Sequence, residues 1–264
     1  MSMSFAGAAS SHACNTLAPT VRPTVRPTGR LPGRPRGTPT VHPTEERPGT
    51  MPAGLSMPWA DAEHAAELAL TGPVLTFAAD RRIYAEGDEA RSYYKVVNGV
   101  VRTCQFLSDG RRQIDAFHLP GDVFGFEAGA EHRLSAEAVS KCTIIAYRRR
   151  GMENIIAGDD RIARQLFTYA MACLEQTREH CLLLGRGSAA QKIAAFLVEM
   201  AERGDAASTI ELPMSRQDIA DYLGLTIETV SRTMSQMERD GTIALPTTRK
   251  IVLKNRHLLE DLNA

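Results

Sequence analysis

Three polar side chains close together in the chain have the chemistry to recognise nucleic-acid bases. Glu228, Ser231 and Arg232 stand at i, i+3 and i+4, so a helix would place them on one face. An arginine fork can bond the O6 and N7 of guanine, and a glutamate carboxylate can accept from the N4 amino group of cytosine. The alternative is an ion pair between Glu228 and Arg232 on a solvated helix, worth about 0.3–0.5 kcal/mol.

The surrounding sequence predicts two capped helices joined by a tight turn. Ser215 can cap a helix over residues 216–223, and Asp218 completes a capping-box pattern with it. Gly224 breaks this helix and supplies the turn, and Thr226 can cap a second helix over residues 227–239. The apolar residues that recur at helical spacing and can pack the two helices together are Ile219, Leu223, Leu225, Val230, Met234 and Met237. This arrangement predicts a helix-turn-helix whose second helix presents its N-terminal residues to base edges.

The segment SRQDIADYLGLTIETVSR, which begins at Ser215, resembles the helix-turn-helix of the CRP/FNR superfamily of bacterial transcription regulators. Its Glu-x-x-Ser-Arg pattern resembles the FNR and FixK branches, because the CRP branch usually has Arg and Gly where this chain has Ile227 and Ser231. The resemblance implies that a dimer recognises a palindrome with TTGA-like half-sites in double-stranded DNA. It also implies phosphate contacts from Arg216, Thr226 and Thr229.

The composition limits the possible classes of protein. The chain has 264 residues, no formal net charge and 43% hydrophobic residues, which fits one large or two modest globular domains. Zero net charge argues against a protein that binds polyanions non-specifically. It does not argue against sequence-specific recognition, since only the docking face needs a positive electrostatic field. No run of about 18 apolar residues predicts a membrane span. Five scattered cysteines favour reduced thiols and a cytoplasmic location over a disulfide framework.

Residues 1–57 are predicted to be a disordered tail. Prolines recur every three to five residues from Pro19 to Pro52, and the only acidic residues are Glu45 and Glu46. We expect Met51 or Met57 to be the physiological start, while a transit peptide is the alternative for such an acid-poor leader. Residues 58–72 predict a short helix.

The next part of the chain predicts an all-β domain. Turn signals such as Asn98-Gly99 and Asp109-Gly110 separate short apolar runs, a spacing that indicates a jelly roll or sandwich. The predicted strands are Val74–Phe77, Ile83–Ala85, Tyr93–Val97, Val100–Leu107, Arg112–His118, Val123–Glu127, Ser135–Val139 and Cys142–Arg148. The string IYAEGD…YYKVVNGVVR…LPGDVFG is similar to the cyclic-nucleotide-binding barrel of the same superfamily.

This barrel lacks the residues that hold cyclic AMP in the family members that bind it. Those members use a Gly-Glu-Leu turn for the ribose and an Arg-Ser pair for the phosphate. Here Phe126 stands at the Glu position, with Glu127 one residue later, and His132 and Arg133 stand at the Arg-Ser positions. We therefore expect no bound nucleotide, with Arg133 as a substitute phosphate clamp being the alternative.

No other cofactor, metal site or catalytic site is predicted. An iron–sulfur cluster needs four thiolates, which FNR supplies mostly near its N-terminus, and this chain has only Cys14 there. Cys104 and Cys142 fall in strands and are expected in the core. No motif for haem ligation surrounds His64, His118 or His132. The His and Glu clusters of metal-dependent jelly-roll enzymes are absent, as is any pairing of a nucleophile with a base.

A long helix is predicted from Asp160 to about Leu184. A near-heptad seam along it comprises Ile162, Leu166, Tyr169, Cys173, Gln176, His180 and Leu183. The resemblance implies that this helix forms the two-fold seam of a homodimer, and the alternative is a core helix within one chain. Cys173 and Cys181 are expected to be buried, inert thiols, although a redox role stays open.

The C-terminal part predicts a hinge, a helix and a wing. Residues 185–187 are read as the hinge, Ser188 caps a helix over residues 189–202, and residues 209–212 form a short strand. Short strands at residues 243–245 and 251–253 flank a turn whose cations, Arg249 and Lys250, are placed at phosphate; a solvated hairpin tip is the alternative. Residues 257–262 predict a terminal helix.

Together these patterns predict an α+β fold of three parts after the tail. Residues 58–155 form the cyclic-nucleotide-binding-like β jelly roll, 156–184 the dimerisation helix and 185–257 the winged helix-turn-helix. The FixK-like resemblance, over residues 73–257, implies an activator of low-oxygen respiration, denitrification or nitrogen-fixation genes that contacts RNA polymerase. Control through the protein's own synthesis is the hypothesis, and the alternatives are a ligand-gated or redox sensor and a jelly-roll enzyme.

Overall fold

The computed structural model describes residues 72–204 and 208–263. The predicted tail at residues 1–57 and nearly all of the helix predicted at 58–72 lie outside the described residues. Among the described residues, no helix has the length and apolarity needed to cross a membrane.

Eight antiparallel strands form the N-terminal domain as two four-stranded sheets. The strands are β1 (Val74–Phe77), β2 (Arg82–Tyr84), β3 (Ser92–Asn98), β4 (Val101–Phe106), β5 (Arg112–His118), β6 (Val123–Phe124), β7 (Ser135–Ala138) and β8 (Cys142–Arg148). One sheet has the order β1-β8-β3-β6 and the other β2-β7-β4-β5. The inner side chains that they share include Val96, Val101, Phe124 and Ile144, all buried. This confirms the predicted jelly roll.

Two glycines at turns explain where strands begin and end. Gly99 has φ +83°, and a Cβ there would lie 2.4 Å from the carbonyl oxygen of Lys141, so the turn between β3 and β4 requires glycine. The strand predicted at residues 123–127 was too long, because Gly125 has φ +84° and β6 ends at Phe124. The other strands of the jelly roll match their predicted ends to within one residue.

Two helices follow the barrel, and the first was not predicted. Helix α1 (Arg149–Gly158) begins after Arg148, which offers no side-chain cap, so the usual start signal is missing from the sequence. Helix α2 (Asp160–Arg186) is capped by Asp159, whose carboxylate accepts from the backbone N–H groups of Arg161 and Ile162. The predicted hinge at residues 185–187 was wrong, because α2 continues through Gly185 to Arg186 and Gly187 is its C-cap.

The near-heptad residues of α2 pack onto their own barrel. Ile162 and Tyr169 are buried, and the Tyr169 hydroxyl accepts from the Val123 N–H at 3.2 Å and donates to its carbonyl at 3.1 Å. A different stripe of α2 is open to solvent: Phe167 (64% exposed), Met171 (44%), Leu174 (40%) and Leu182 (54%). The sequence pattern therefore identified the barrel-facing side of α2 and not its outer apolar side.

The C-terminal domain is a winged helix-turn-helix. Its elements are α3 (Ala189–Arg203), β9 (Thr209–Glu211), α4 (Arg216–Leu223), α5 (Ile227–Arg239), β10 (Ile243–Ala244), β11 (Lys250–Leu253) and α6 (Arg256–Asn263). The three strands have the order β10-β11-β9. Helices α3, α4 and α5 bury one continuous core that includes Phe196, Leu223 and Met234. The predicted α+β fold is thus confirmed.

Candidate nucleic-acid interface

The helix-turn-helix is built by the local signals that the sequence carries. Ser215 accepts from the Asp218 N–H at 3.1 Å, and Asp218 accepts from the Ser215 N–H at 2.9 Å, which closes the capping box of α4. Gly224 ends α4 in the left-handed region with φ 62°, a conformation that costs other residues free energy. The Thr226 hydroxyl then accepts from the Thr229 N–H at 3.2 Å and caps α5.

The first turn and a half of α5 presents the predicted base-reading residues. Glu228, Ser231 and Arg232 are all exposed, whereas Val230 and Met234 on the other face of the helix are buried. Hydrogen bonds from its own backbone N–H and from Thr226, together with the charge of Arg232, hold the pKa of Glu228 below its ordinary value. A carboxylate that is ionised at neutral pH can accept hydrogen bonds from base amino groups.

Four of the five residues predicted to contact phosphate lie at the N-terminus of α5 or at the tip of the wing. Thr226 is exposed and Thr229 half-buried at the N-terminus of α5, where unpaired N–H groups and the helix dipole favour anions. Arg249 and Lys250 are exposed at the wing tip, and their backbone N–H groups donate to the Thr247 hydroxyl at 3.3 and 2.9 Å. These two bonds order the tip that carries the cations.

Arg216 is placed differently from the other four. Its side chain is half-buried, its Nη1 is enclosed and has no hydrogen-bond partner among the described residues, and burial lowers its pKa. A buried guanidinium nitrogen without a partner is costly. In this arrangement the guanidinium is partly enclosed rather than fully presented to a duplex.

His132, which stands at one of the Arg-Ser positions of the resemblance, belongs to a buried aromatic stack. His132 is buried with its ring centroid 3.6 Å from that of Tyr84, and burial keeps its pKa below the ordinary value. Its Nδ1 lies 3.6 Å from a carboxylate oxygen of Glu127. Arg133 is exposed and is not among the residues that line the neighbouring cavity, and its role as a substitute phosphate clamp stays a hypothesis.

A cavity of about 390 Å³ lies between the barrel, α2 and α4. Its charged lining comprises Asp115, Asp122, Glu127 and Arg203. Burial raises the pKa of both Asp115 and Asp122, and Arg203 already pairs with Asp122. Three carboxylates beside one paired guanidinium form a poor environment for an anionic ligand.

The thiols and possible metal ligands are dispersed. Cys104 and Cys142 are buried as predicted, Cys173 is half-buried, and Cys181 is exposed in the single chain, contrary to prediction. Within residues 72–204 and 208–263, no three side chains of His, Cys, Asp or Glu are grouped to hold a metal ion.

One buried side chain with a structural role in the C-terminal domain was not predicted from the sequence. Lys192 on α3 is buried, and its ammonium donates to the carbonyl of Leu184 at 3.1 Å and of Leu223 at 3.2 Å. It thus caps the ends of both α2 and α4 with one cation. A lysine on the apolar side of a predicted helix is the signal that could have identified it.

Comparisons with known proteins agree with this geometry. A cyclic nucleotide-binding domain profile matches residues 74–159, and a Crp-like helix-turn-helix domain profile matches residues 191–262. The nitrogen fixation regulation protein FixK of Azorhizobium caulinodans is 43% identical over 208 residues, which span 77% of this chain and 84% of that protein. The transcriptional activatory protein AadR of Rhodopseudomonas palustris is 39% identical over 62% of this chain and 70% of its own length. The structure of FixK2 from Bradyrhizobium japonicum has a TM-score of 0.71 and 46% identity, and covers 74% of this chain and 98% of that one.

Proposed function

Since the chain belongs to the CRP/FNR family of transcription regulators, in its FixK branch, we propose that it is a dimeric activator that reads TTGA-type palindromes. One observation carries this proposal: Glu228, Ser231 and Arg232 lie exposed together at the N-terminus of a capped recognition helix. Arg232 is assigned to guanine and Glu228 to cytosine, with Ser231 beside them. Thr226, Thr229, Arg249 and Lys250 contact phosphates, and Arg216 joins them only after its side chain turns outward.

The outer stripe of α2 is the proposed dimer seam. Four exposed apolar side chains on one face of a 27-residue helix suit a two-fold helix pair, which would remove them from water. Pairing also doubles the base contacts and sets the distance between half-sites near one helical turn. The proposed organisation is therefore a barrel at residues 58–155, a dimer helix at 156–184 and a reading domain at 185–257.

The genes under control are proposed to serve low-oxygen respiration, denitrification or nitrogen fixation, in line with the name of the FixK relative. Activation would use contact with RNA polymerase in the cytoplasm, and the chain would act as a regulator and not as an enzyme. Control through the protein's own synthesis fits a cavity whose carboxylates disfavour anionic effectors.

The proposal is tested by binding of the purified protein to short duplexes at about 0.15 M salt. A TTGA-type palindrome should bind at least about a thousandfold more tightly than a scrambled duplex. Equal binding to both duplexes would contradict sequence-specific reading.

A ligand-gated sensor is the second candidate, and the cavity of about 390 Å³ is the observation that favours it. A saturable thermal shift with cyclic nucleotides would support this candidate. Absorbance and mass spectrometry of protein purified without oxygen provide a separate test, because a stoichiometric cofactor would refute control by synthesis alone.

A further inference from the structure

A buried ionic cluster connects the barrel to the helix-turn-helix. It consists of Arg102, Arg112 and Glu137 from the barrel and Asp218 and Asp221 from α4, and we call it the five-charge cluster. Their side chains are only 7–17% exposed. Charges removed from water in this way are stable only when paired and hydrogen-bonded, so the cluster constrains both domains.

The contacts within the cluster are specific in geometry. Arg102 donates to Glu137 at 2.8 Å and to Asp218 at 2.9 Å. Arg112 donates to Asp218 through Nη2 and to Asp221 at 2.8 Å through Nε. Asp218 and Asp221 stand three residues apart, which places both on one face of α4.

Asp218 connects this cluster to the helix-turn-helix itself. Its Oδ2 accepts from the Ser215 N–H in the capping box, while its Oδ1 accepts from both arginines. Burial would raise the pKa of Asp218, but the bonds from Ser215 and the charges of Arg102 and Arg112 hold it below its ordinary value. The same carboxylate therefore starts α4 and docks it on the barrel.

The docking of α4 on the barrel does not cover the predicted base-reading residues. Glu228, Ser231 and Arg232 are exposed in the same structure in which Arg102 pairs with Asp218. The barrel also packs on α2, because the Tyr169 hydroxyl bonds to Val123 of β6. Arg102 on β4 and Arg112 on β5 bond to α4, which shares a core with α5. The direction of α5 relative to α2 is therefore held by the barrel as well as by the short connection at Gly187 and by direct contacts such as the Lys192 bonds and the stack of His180 on Tyr222.

We infer that Arg102 and Arg112 are positioning residues that fix the reading helix relative to the dimer seam and so select the spacing between half-sites. This inference rests on the proposed function. One added base pair displaces a half-site by about 3.4 Å and rotates it by about 35°. Two recognition helices that are rigidly docked on their barrels cannot both reach half-sites displaced in this way. Helices whose docking is weakened can move to reach them.

The test compares spacing selectivity in full-length proteins. Palindromes with the preferred spacer, with one base pair more or less, and with a single half-site are titrated with wild type, Arg112→Gln and Asp221→Asn. Arg111→Gln is the matched control, because the Arg111 side chain is 77% exposed and its ion pair within the described residues is with Asp109 of its own turn.

Wild type and Arg111→Gln should prefer one spacing by roughly tenfold or more. In both cluster variants the preference should fall to about two- to threefold, while binding to the single half-site stays within about twofold. Cluster variants that fold and retain the full preference would overturn the inference. A merely stabilising cluster would lower the melting temperature without changing this ratio.

Failure of the proposed function gives a different result, namely that wild type prefers no palindrome. The inference is then decided by small-angle scattering of the DNA-free protein. Arg112→Gln should give a larger and more variable particle than Arg111→Gln, and identical curves would overturn the positioning role.

Discussion

At the scale of single residues, Arg232 is proposed to contact a base and Lys250 a phosphate of the same DNA duplex. Arg232→Ala should reduce affinity for the correct site by about 1–3 kcal/mol and relax the preference at one base pair, because a bidentate base contact is lost.

Lys250→Ala should weaken binding to all DNA sequences alike and reduce the slope of log affinity against log salt concentration by about one, because one phosphate contact is lost. Binding titrations across salt and across a set of single-base variants measure both effects.

Arg239→Ala is the control for these two changes. Arg239 lies at the far end of α5, where its guanidinium donates to Gln236. This variant should keep wild-type base preference. If Arg232→Ala and Lys250→Ala both weakened binding uniformly across sequences, the assignment of base and phosphate roles would be wrong.

At the scale of elements, Lys192 holds two helix ends together. Lys192→Met should lower the free energy of unfolding by about 1–3 kcal/mol, because the carbonyls of Leu184 and Leu223 lose their shared donor. Urea denaturation measures the change, with Lys141→Met at an exposed site as the comparison. An unchanged midpoint would show that the two carbonyls do not depend on this cation.

The outer stripe of α2 gives a second prediction at this scale. Met171→Asp should weaken the dimer by about 3 kcal/mol or more, roughly a hundredfold or more in the dissociation constant, because a two-fold pair would bury two added charges. Sedimentation equilibrium measures this. Thr168→Asp, an exposed site on the flank of α2, should leave the dimer intact. A dimer that tolerates Met171→Asp would place the seam elsewhere.

At the scale of the whole molecule, two half-buried histidines make stability depend on pH. Burial and the nearby Arg203 lower the pKa of His118 to about 3, and burial and Lys192 lower that of His180 to about 4, from an ordinary 6.5. The unfolded chain therefore binds more protons than the folded protein below pH 6.5. Stability should fall as the pH is lowered from 6.5 towards 4, by up to about 1.4 kcal/mol per pH unit for each histidine.

Denaturation of wild type and His118→Gln between pH 7 and about 4.5 checks this dependence. The variant should lose part of the slope, because its side chain cannot take up the proton in the unfolded state. His257→Gln is the matched control, since His257 is 89% exposed. A slope that is identical in wild type and His118→Gln would contradict the assignment.

The sequence by itself determined the parts whose causes are local. The capping box at Ser215, the left-handed turn at Gly224 and the Thr226 cap fix α4 and α5, and the 3.6-residue repeat puts Glu228 and Arg232 on one face. Strand positions in the barrel followed equally from turn residues and apolar runs. Helix α1 was missed because Arg148 supplies no cap.

Only the tertiary structure decided which neighbour each face meets. Periodicity groups the residues of α2, but it does not say that Tyr169 faces the barrel while Met171 faces outward. It likewise does not show that Arg216 is partly enclosed. In the five-charge cluster, Asp218 bonds to Arg112 and Arg102, which precede it in the chain by 106 and 116 positions. No local sequence pattern encodes contacts over such separations. Such contacts depend on how whole domains pack, because charge pairing over that separation arises only after both domains are folded and docked.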